Sequence, residues 1–352
     1  MISIEQAVAS IKPLDRAAMD AARQRQDQLT KPLGSLGRLE ELAIQIAGIT
    51  GQVCPRLPRK TVVVMAADHG VVSQGVSAYP ADVTPQMVMN FLKGGAAINV
   101  LSRQAGARVV VVDVGVASDI APADGLLIRK VARGTRNLAA EPAMTVEEMR
   151  RAIQAGIDVV EAELAKGLDL VATGDMGIGN TTPSSAIVAA IAGLPVAQVV
   201  GRGTGLDNAG LSRKIETIEQ GIRVNRPDPN DPLDVLAKVG GLEIAGLVGV
   251  ILGGAAHRLP VVVDGFISTA AALVAAKAWP SLRPYLIPSH QSVEIGHQAM
   301  LKALDLKALF DFDMRLGEGT GAAIAMQMID DALAIQAEMA TFEEAGVSNK
   351  EQ

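Results

Sequence analysis

Apolar positions along this chain change period twice. From residue 4 to 29 they recur at helical spacing, Ile4, Ala7, Val8 and Ile11, then Leu14, Ala18, Ala21 and Ala22, and Pro13 splits the stretch into two short helices. A turn-rich link, Thr30 to Gly37, enters a further helix whose apolar face is Leu39, Leu42, Ala43, Ile46 and Ile49. Beyond the Pro-rich segment 54–58 the helical period gives way to near-continuous apolar runs. Thr61 to Ala67 ends in Asp68-His69-Gly70, and Arg108 to Gly115 repeats the arrangement. Runs of this kind suit strands buried on both faces of a parallel sheet. Helical stretches lie between them at 84–92 and 96–104. Another, 145–166, opens with the capping-box pattern Thr145-Val146-Glu147-Glu148.

Strands are also expected at Leu168 to Ala172, Pro260 to Gly265, Tyr285 to Ser292 and Leu309 to Leu316, with a final helix over 322–340. Five or six strands alternating with helices predict an α/β fold, a parallel sheet covered on both faces. Helices alone occupy both ends and are candidates to pack together as a satellite unit.

Composition narrows the classes. With 352 residues, 49% hydrophobic but 2% aromatic, and 35 glycines, the core is aliphatic. A net charge of -6 provides no basic face for nucleic acid. The single cysteine, Cys54, excludes an internal disulfide framework and points to a reducing cytoplasm. The N-terminus has no basic region followed by a long apolar core, so no signal peptide is expected. The apolar stretch 240–256 carries Glu243 and is shorter than the ~20 residues of a membrane span, so it reads as a buried helix.

The richest chemistry lies in Thr173 to Ser185, T-G-D-M-G-I-G-N-T-T-P-S-S, which reads as strand, glycine turn and helix start. Glycines let a ligand approach the main chain, and the unpaired N–H groups of a first helical turn attract an anion. The spacing matches neither common nucleotide fingerprint, and the plain alternative is an ordinary tight turn. Asp175 sits on it. A second glycine turn, Gly201 to Asp207, precedes a helix that Asp207 is placed to cap and that carries Lys214, which is either solvated or directed at a phosphate.

Glu318, between Gly317 and Gly319 at the expected end of a strand, ranks first among the acids; its alternative is a first-turn acid favoured by the helix dipole. Asp68, Asp113 and Asp264 stand behind it as acids or as caps. No two of His69, His257, His290 and His297 share i, i+4 spacing, so no metal site is expected. Ser184, Ser185 and Ser292 lack a nucleophile elbow. Met176 and Leu316 flank the acids and suit either core packing or a flat apolar ligand.

Seven stretches in family order resemble nicotinate-nucleotide:dimethylbenzimidazole phosphoribosyltransferases: K-P-L-G-S-L-G-R-L-E at 31–40, A-A-D-H-G at 66–70, G-D-M-G-I-G-N-T-T at 174–182, G-R-G-T-G-L at 201–206, V-D-G-F-I-S-T-A-A-A-L at 263–273, S-H-Q-S-V-E-I-G-H at 289–297 and L-G-E-G-T-G-A at 316–322. The resemblance implies a Rossmann-like large domain at 59–320, a small helical domain from 1–58 plus 321–352, and a homodimer. It implies Glu318 as general base, and Gly177, Ile178, Gly179, Asn180, Thr181, Gly203 and Lys214 around the nucleotide phosphate, with Asp264 and Ser292 of the matching motifs also binding the nucleotide. No cofactor is implied. Asp175 departs from the family, which often has Glu there.

Nicotinate mononucleotide carries a quaternary pyridine nitrogen, so its nicotinate leaves without protonation. Asp175 then faces an oxocarbenium-like centre, and Glu318, near the reference pKa of about 4.3, takes the proton from the attacking 5,6-dimethylbenzimidazole. Attack opposite the leaving group inverts C1′. The flat base needs an apolar slot, for which Met176, Leu316, Tyr79 and Gln86 are candidates, the last two chiefly by resemblance. A nucleotide N-ribohydrolase and a non-catalytic nucleotide-binding protein are the alternatives.

Overall fold

In the computed structural model, which describes residues 1–203 and 205–348, Pro13 separates two helices, α1 (Ile4–Ser10) and α2 (Arg16–Gln28). Then come α3 (Arg38–Thr50), strand β1 (Lys60–Ala67), α4 (Val83–Leu92), α5 (Ala97–Gln104), β2 (Ala107–Gly115) and the short β3 (Leu126–Ile128). The capping box is formed: Thr145 and Glu148 exchange side-chain and backbone bonds at the start of α6 (Val146–Leu164). The middle of the chain follows as β4 (Leu170–Met176), α7 (Thr181–Ala192), α8 (Asn208–Asn225), α9 (Pro232–Val239) and α10 (Leu242–Ala256). It continues through β5 (Val261–Val263), α11 (Phe266–Ala278), β6 (Leu286–Pro288) and α12 (Ile295–Leu304) to α13 (Thr320–Glu338) and α14 (Phe342–Ala345). Thr204, in the second glycine turn, lies outside the described residues.

The sheet is parallel in the order β3-β2-β1-β4-β5-β6. The chain leaves β1 toward one edge and resumes at β4 on its other side, so a crevice opens at the carboxyl ends of β1 and β4, where doubly wound sheets bind ligands. Strand periodicity decides what each face meets. Val63, Met65 and Ala67 of β1 join one core with α6, α7, α10 and α11, whereas Val62, Val64 and Ala66 join a second with α3, α5 and α13. Both faces are buried, which explains the unbroken apolar runs. Helices from the two ends of the chain meet: α2, α3 and α13 pack on one another, and the buried amides of Gln26 and Gln336 bond at 2.6 Å. α1 packs instead on α6 and α10.

Three expectations are corrected. Residues 309–316 do not form a strand; one parallel bridge joins Phe310 to His290. The alternating phenylalanines imitate strand spacing, but Phe312 is exposed, and an Asp311–Asp313 turn with φ 53° at Asp313 breaks the run. Glu318 therefore follows an irregular segment, not a strand. β4 also runs past Ala172: Gly174 and Asp175 pair with Val64 and Met65, placing Asp175 on the strand tip before the turn. Finally, β3 has only three residues and left no pattern in the sequence.

Candidate active site

A cavity of about 250 Å³ opens at the carboxyl ends of β4, β5 and β6. It brings together Tyr79, Asp175, Asn180, Thr181, Gly203, Ser292 and Leu316 of the expected site residues. Lys214, Asp264 and Glu318 stand directly behind this lining. Gln86 is exposed on α4, outside it, and Met176 is half-buried against the second core.

At one end, the turn 177–180 feeds α7. Ile178 N–H donates to Thr84 Oγ1 at 3.1 Å and is committed to holding the turn. Asp207 caps α8, as the sequence suggested, by accepting from Gly210 N–H at 2.7 Å. That helix delivers Lys214, which is fully buried, and its Nζ donates to Thr181 Oγ1 at 2.7 Å and to Gly201 carbonyl at 3.3 Å. Gly203, at φ 53°, lies against this pair; a side chain there would crowd Thr181 Oγ1 and Lys214 Nζ. Burial lowers the Lys214 ammonium pKa to about 8, and Glu294 opposes the shift. A dianionic phosphate would restore the full charge.

The other end is acidic. Asp264, at the tip of β5, is fully buried, and its carboxylate accepts from Gly319 N–H at 3.0 Å and Ala322 N–H at 3.1 Å. It thereby caps α13 and fixes the loop that carries Glu318. Glu318 has φ 63°, the left-handed region a side chain rarely adopts, between Gly317 at 84° and Gly319 at 97°. Across the loop, Gly174 admits the Glu318 backbone; a Cβ at 174 would collide with the Glu318 carbonyl oxygen. Glu318 Oε2 accepts from Ile98 N–H at 3.3 Å, at the start of α5.

Burial raises the Glu318 pKa; the Ile98 bond opposes this and Asp264 adds to it. Asp175 accepts from Asn180 Nδ2 at 2.9 Å, yet burial, then repulsion from Asp264 and Glu243, holds its pKa well above the carboxylate range. Burial raises Asp264 as well, against the pull of His290. When the cavity is empty, these acids resist full ionisation.

Several residues around the cavity escaped the sequence reading. Arg315 and Glu294 line it, as do Phe266 and His290. Arg315 immediately precedes the glycine turn, and Glu294 sits inside the S-H-Q-S-V-E-I-G-H stretch, but nothing in either pattern says which way the side chain faces. His297 holds Ser292: its Nδ1 accepts from Ser292 N–H at 2.9 Å, so its Nε2–H donates to Thr269 Oγ1, also at 2.9 Å. Burial lowers the His297 pKa to about 3, and the ring stays neutral. A second buried pair, His69 Nε2 and Glu243 Oε1 at 2.8 Å, lies beneath Gly177.

A family model described as phosphoribosyltransferase matches residues 11–347. The nicotinate-nucleotide:dimethylbenzimidazole phosphoribosyltransferase of Desulforudis audaxviator is 59% identical over 345 residues, covering 98% of each chain. Its namesake from Chloroflexus aggregans is 59% identical over 352 residues, covering 100% of each. The crystal structure of the Thermus thermophilus enzyme of that name has a TM-score of 0.91 at 50% identity, covering 96% of this chain and 100% of that one. Matched along nearly its whole length in sequence and in fold, the chain belongs to the nicotinate-nucleotide:dimethylbenzimidazole phosphoribosyltransferase family and is a pentosyl-transferring enzyme.

Proposed function

We propose that the chain transfers the 5-phosphoribosyl group of nicotinate mononucleotide to 5,6-dimethylbenzimidazole, giving α-ribazole 5′-phosphate and nicotinate with inversion at C1′. This is a step in assembling the nucleotide loop of cobalamin. One observation carries the reading: an anion end, Thr181 and Gly203 backed by Lys214, and a carboxylate end, Asp175 with Glu318 behind Gly317, share one cavity.

The phosphate is held at the first end, where the exposed dipole of α7 and the Lys214 ammonium favour it. The bond from C1′ to the pyridine nitrogen then breaks, its electron pair passing to nicotinate, while Asp175 stabilises the positive ribosyl centre. Benzimidazole attacks C1′ from the opposite face with its unprotonated nitrogen, and the proton on its other nitrogen passes to Glu318. A carboxylate whose pKa burial raises from its ordinary value accepts that proton better than an ordinary surface acid would. Tyr79 and Leu316 at the rim flank the flat base. The same reading expects a cytoplasmic homodimer, and sedimentation of the purified protein checks the dimer.

The test incubates the protein with nicotinate mononucleotide, with and without 5,6-dimethylbenzimidazole, and follows nicotinate release and the anomer formed. Base-dependent release with an α-product is expected. Equal release without the base makes the protein an N-ribohydrolase, and no release with either makes it a binder.

A further inference from the structure

The substrate of the proposed reaction carries two anionic groups, the phosphate and the carboxylate on the pyridine ring. Lys214 serves the first. Among the described residues, Arg315 is the only arginine or lysine that lines the cavity. Its Nη1 donates to the Gly203 carbonyl at 3.1 Å, which ties the acid-bearing loop to the phosphate turn. The other edge of the guanidinium, Nε and Nη2, has no partner among the described residues, and no carboxylate there pairs with it. That edge presents two parallel N–H groups, the fork that grips a carboxylate in bidentate fashion.

Resting on the transferase reading, we infer that Arg315 receives the carboxylate of the nicotinate ring and makes the enzyme select a nicotinate over a nicotinamide nucleotide. Glu294 lines the same cavity, as does Asp175 once it is ionised, so a second substrate anion is repelled unless a cation meets it. A neutral carboxamide gains little from a guanidinium and suffers no such repulsion. Arg315 is also exposed, which suits a contact that must be released with the product.

The test compares wild type, Arg315→Gln and Arg315→Lys on nicotinate mononucleotide and nicotinamide mononucleotide, with ribose 5-phosphate as a ring-free binding probe. The glutamine variant is expected to lower the ratio of kcat/KM for the two nucleotides by about 30-fold, the scale of one lost charge-assisted contact. The lysine variant should recover part of the ratio, and the dissociation constant of ribose 5-phosphate should change far less than that of nicotinate mononucleotide. An unchanged ratio overturns the inference. So does a loss of ribose 5-phosphate binding as large as the loss for nicotinate mononucleotide, which would make Arg315 a phosphate clamp. Should wild type transfer from neither nucleotide, the transferase reading fails first, and the binding constants of the two nucleotides to wild type and Arg315→Gln still decide the role of Arg315.

Discussion

The two ends of the cavity are built in opposite ways. Lys214 reaches its place from the middle of a regular helix and makes two direct bonds, while the acids stand on strand tips and on a loop with three consecutive residues at positive φ. Burial acts on both and against both, pulling the ammonium down to about 8 and pushing the carboxylates up. On the proposed function, a nucleotide with a phosphate at one end and a cationic ring nitrogen at the other meets the buried charge at both. On the proposed reaction the contrast also separates tasks: the helical end binds, and the strained end does chemistry.

Five experiments bear on that separation. The largest effect is expected from Glu318→Gln, which should lower the transfer rate by roughly 10²–10⁴-fold, the usual value of a general base, while nucleotide affinity survives; near-normal turnover would remove the division of labour altogether. Lys214→Met should raise KM for the nucleotide about 100-fold, with a smaller effect on the nucleoside that lacks the phosphate. Equal losses on both substrates would mean that Lys214 holds the fold and not the phosphate. Gly174→Ala tests the loop without touching a charge. Displacing the Glu318 backbone should cost kcat on the order of 10–100-fold with KM little changed, because small misplacements of a reacting group are expensive.

The smallest effects are in pH and stability. Free Lys214 loses its proton above about pH 8, so nucleotide KM should climb through that pH, and binding there should take up a proton measurable by calorimetry in two buffers. The acids have the opposite sign. Their folded pKa values are raised, so the native state holds more protons than the unfolded chain once pH exceeds the unfolded carboxylate value. Their contribution to stability is present below that value and is lost as pH rises through the folded pKa. Asp175→Asn should therefore raise the neutral-pH melting temperature of the empty protein by a few degrees while slowing transfer. A lowered Tm would show that its bond to Asn180 outweighs its burial.

Much of this was legible in the sequence wherever a residue's neighbours are local or periodic. The β1 and β2 runs are apolar on both faces because both faces are covered, and Thr145 and Asp207 announce their helices through caps within three residues. Glu318 stands out because only glycines flank it. What failed depends on distant contacts. The burial of Lys214 follows from the turn 201–203 folding over α8, Arg315 is set by its bond to Gly203, and for Asp264, where a cap was one expected role, the helix capped starts 56 positions later, at Thr320. Residues 309–316 misled because alternating aromatic residues imitate a strand where hydrogen-bond partners are lacking.

Tyr79 and Leu316 are the most exposed of the expected site residues on the cavity rim, at 53% and 59%, and neither belongs to a helix or strand. Neither side chain pairs in the sheet or shares the hydrogen bonds of Lys214, Asp175, Asp264 or Glu318. If the proposed transfer holds, the choice of acceptor can therefore drift over evolutionary time while the ribosyl chemistry stays fixed, and a library confined to these two positions is the economical route to lower ligands of new shape.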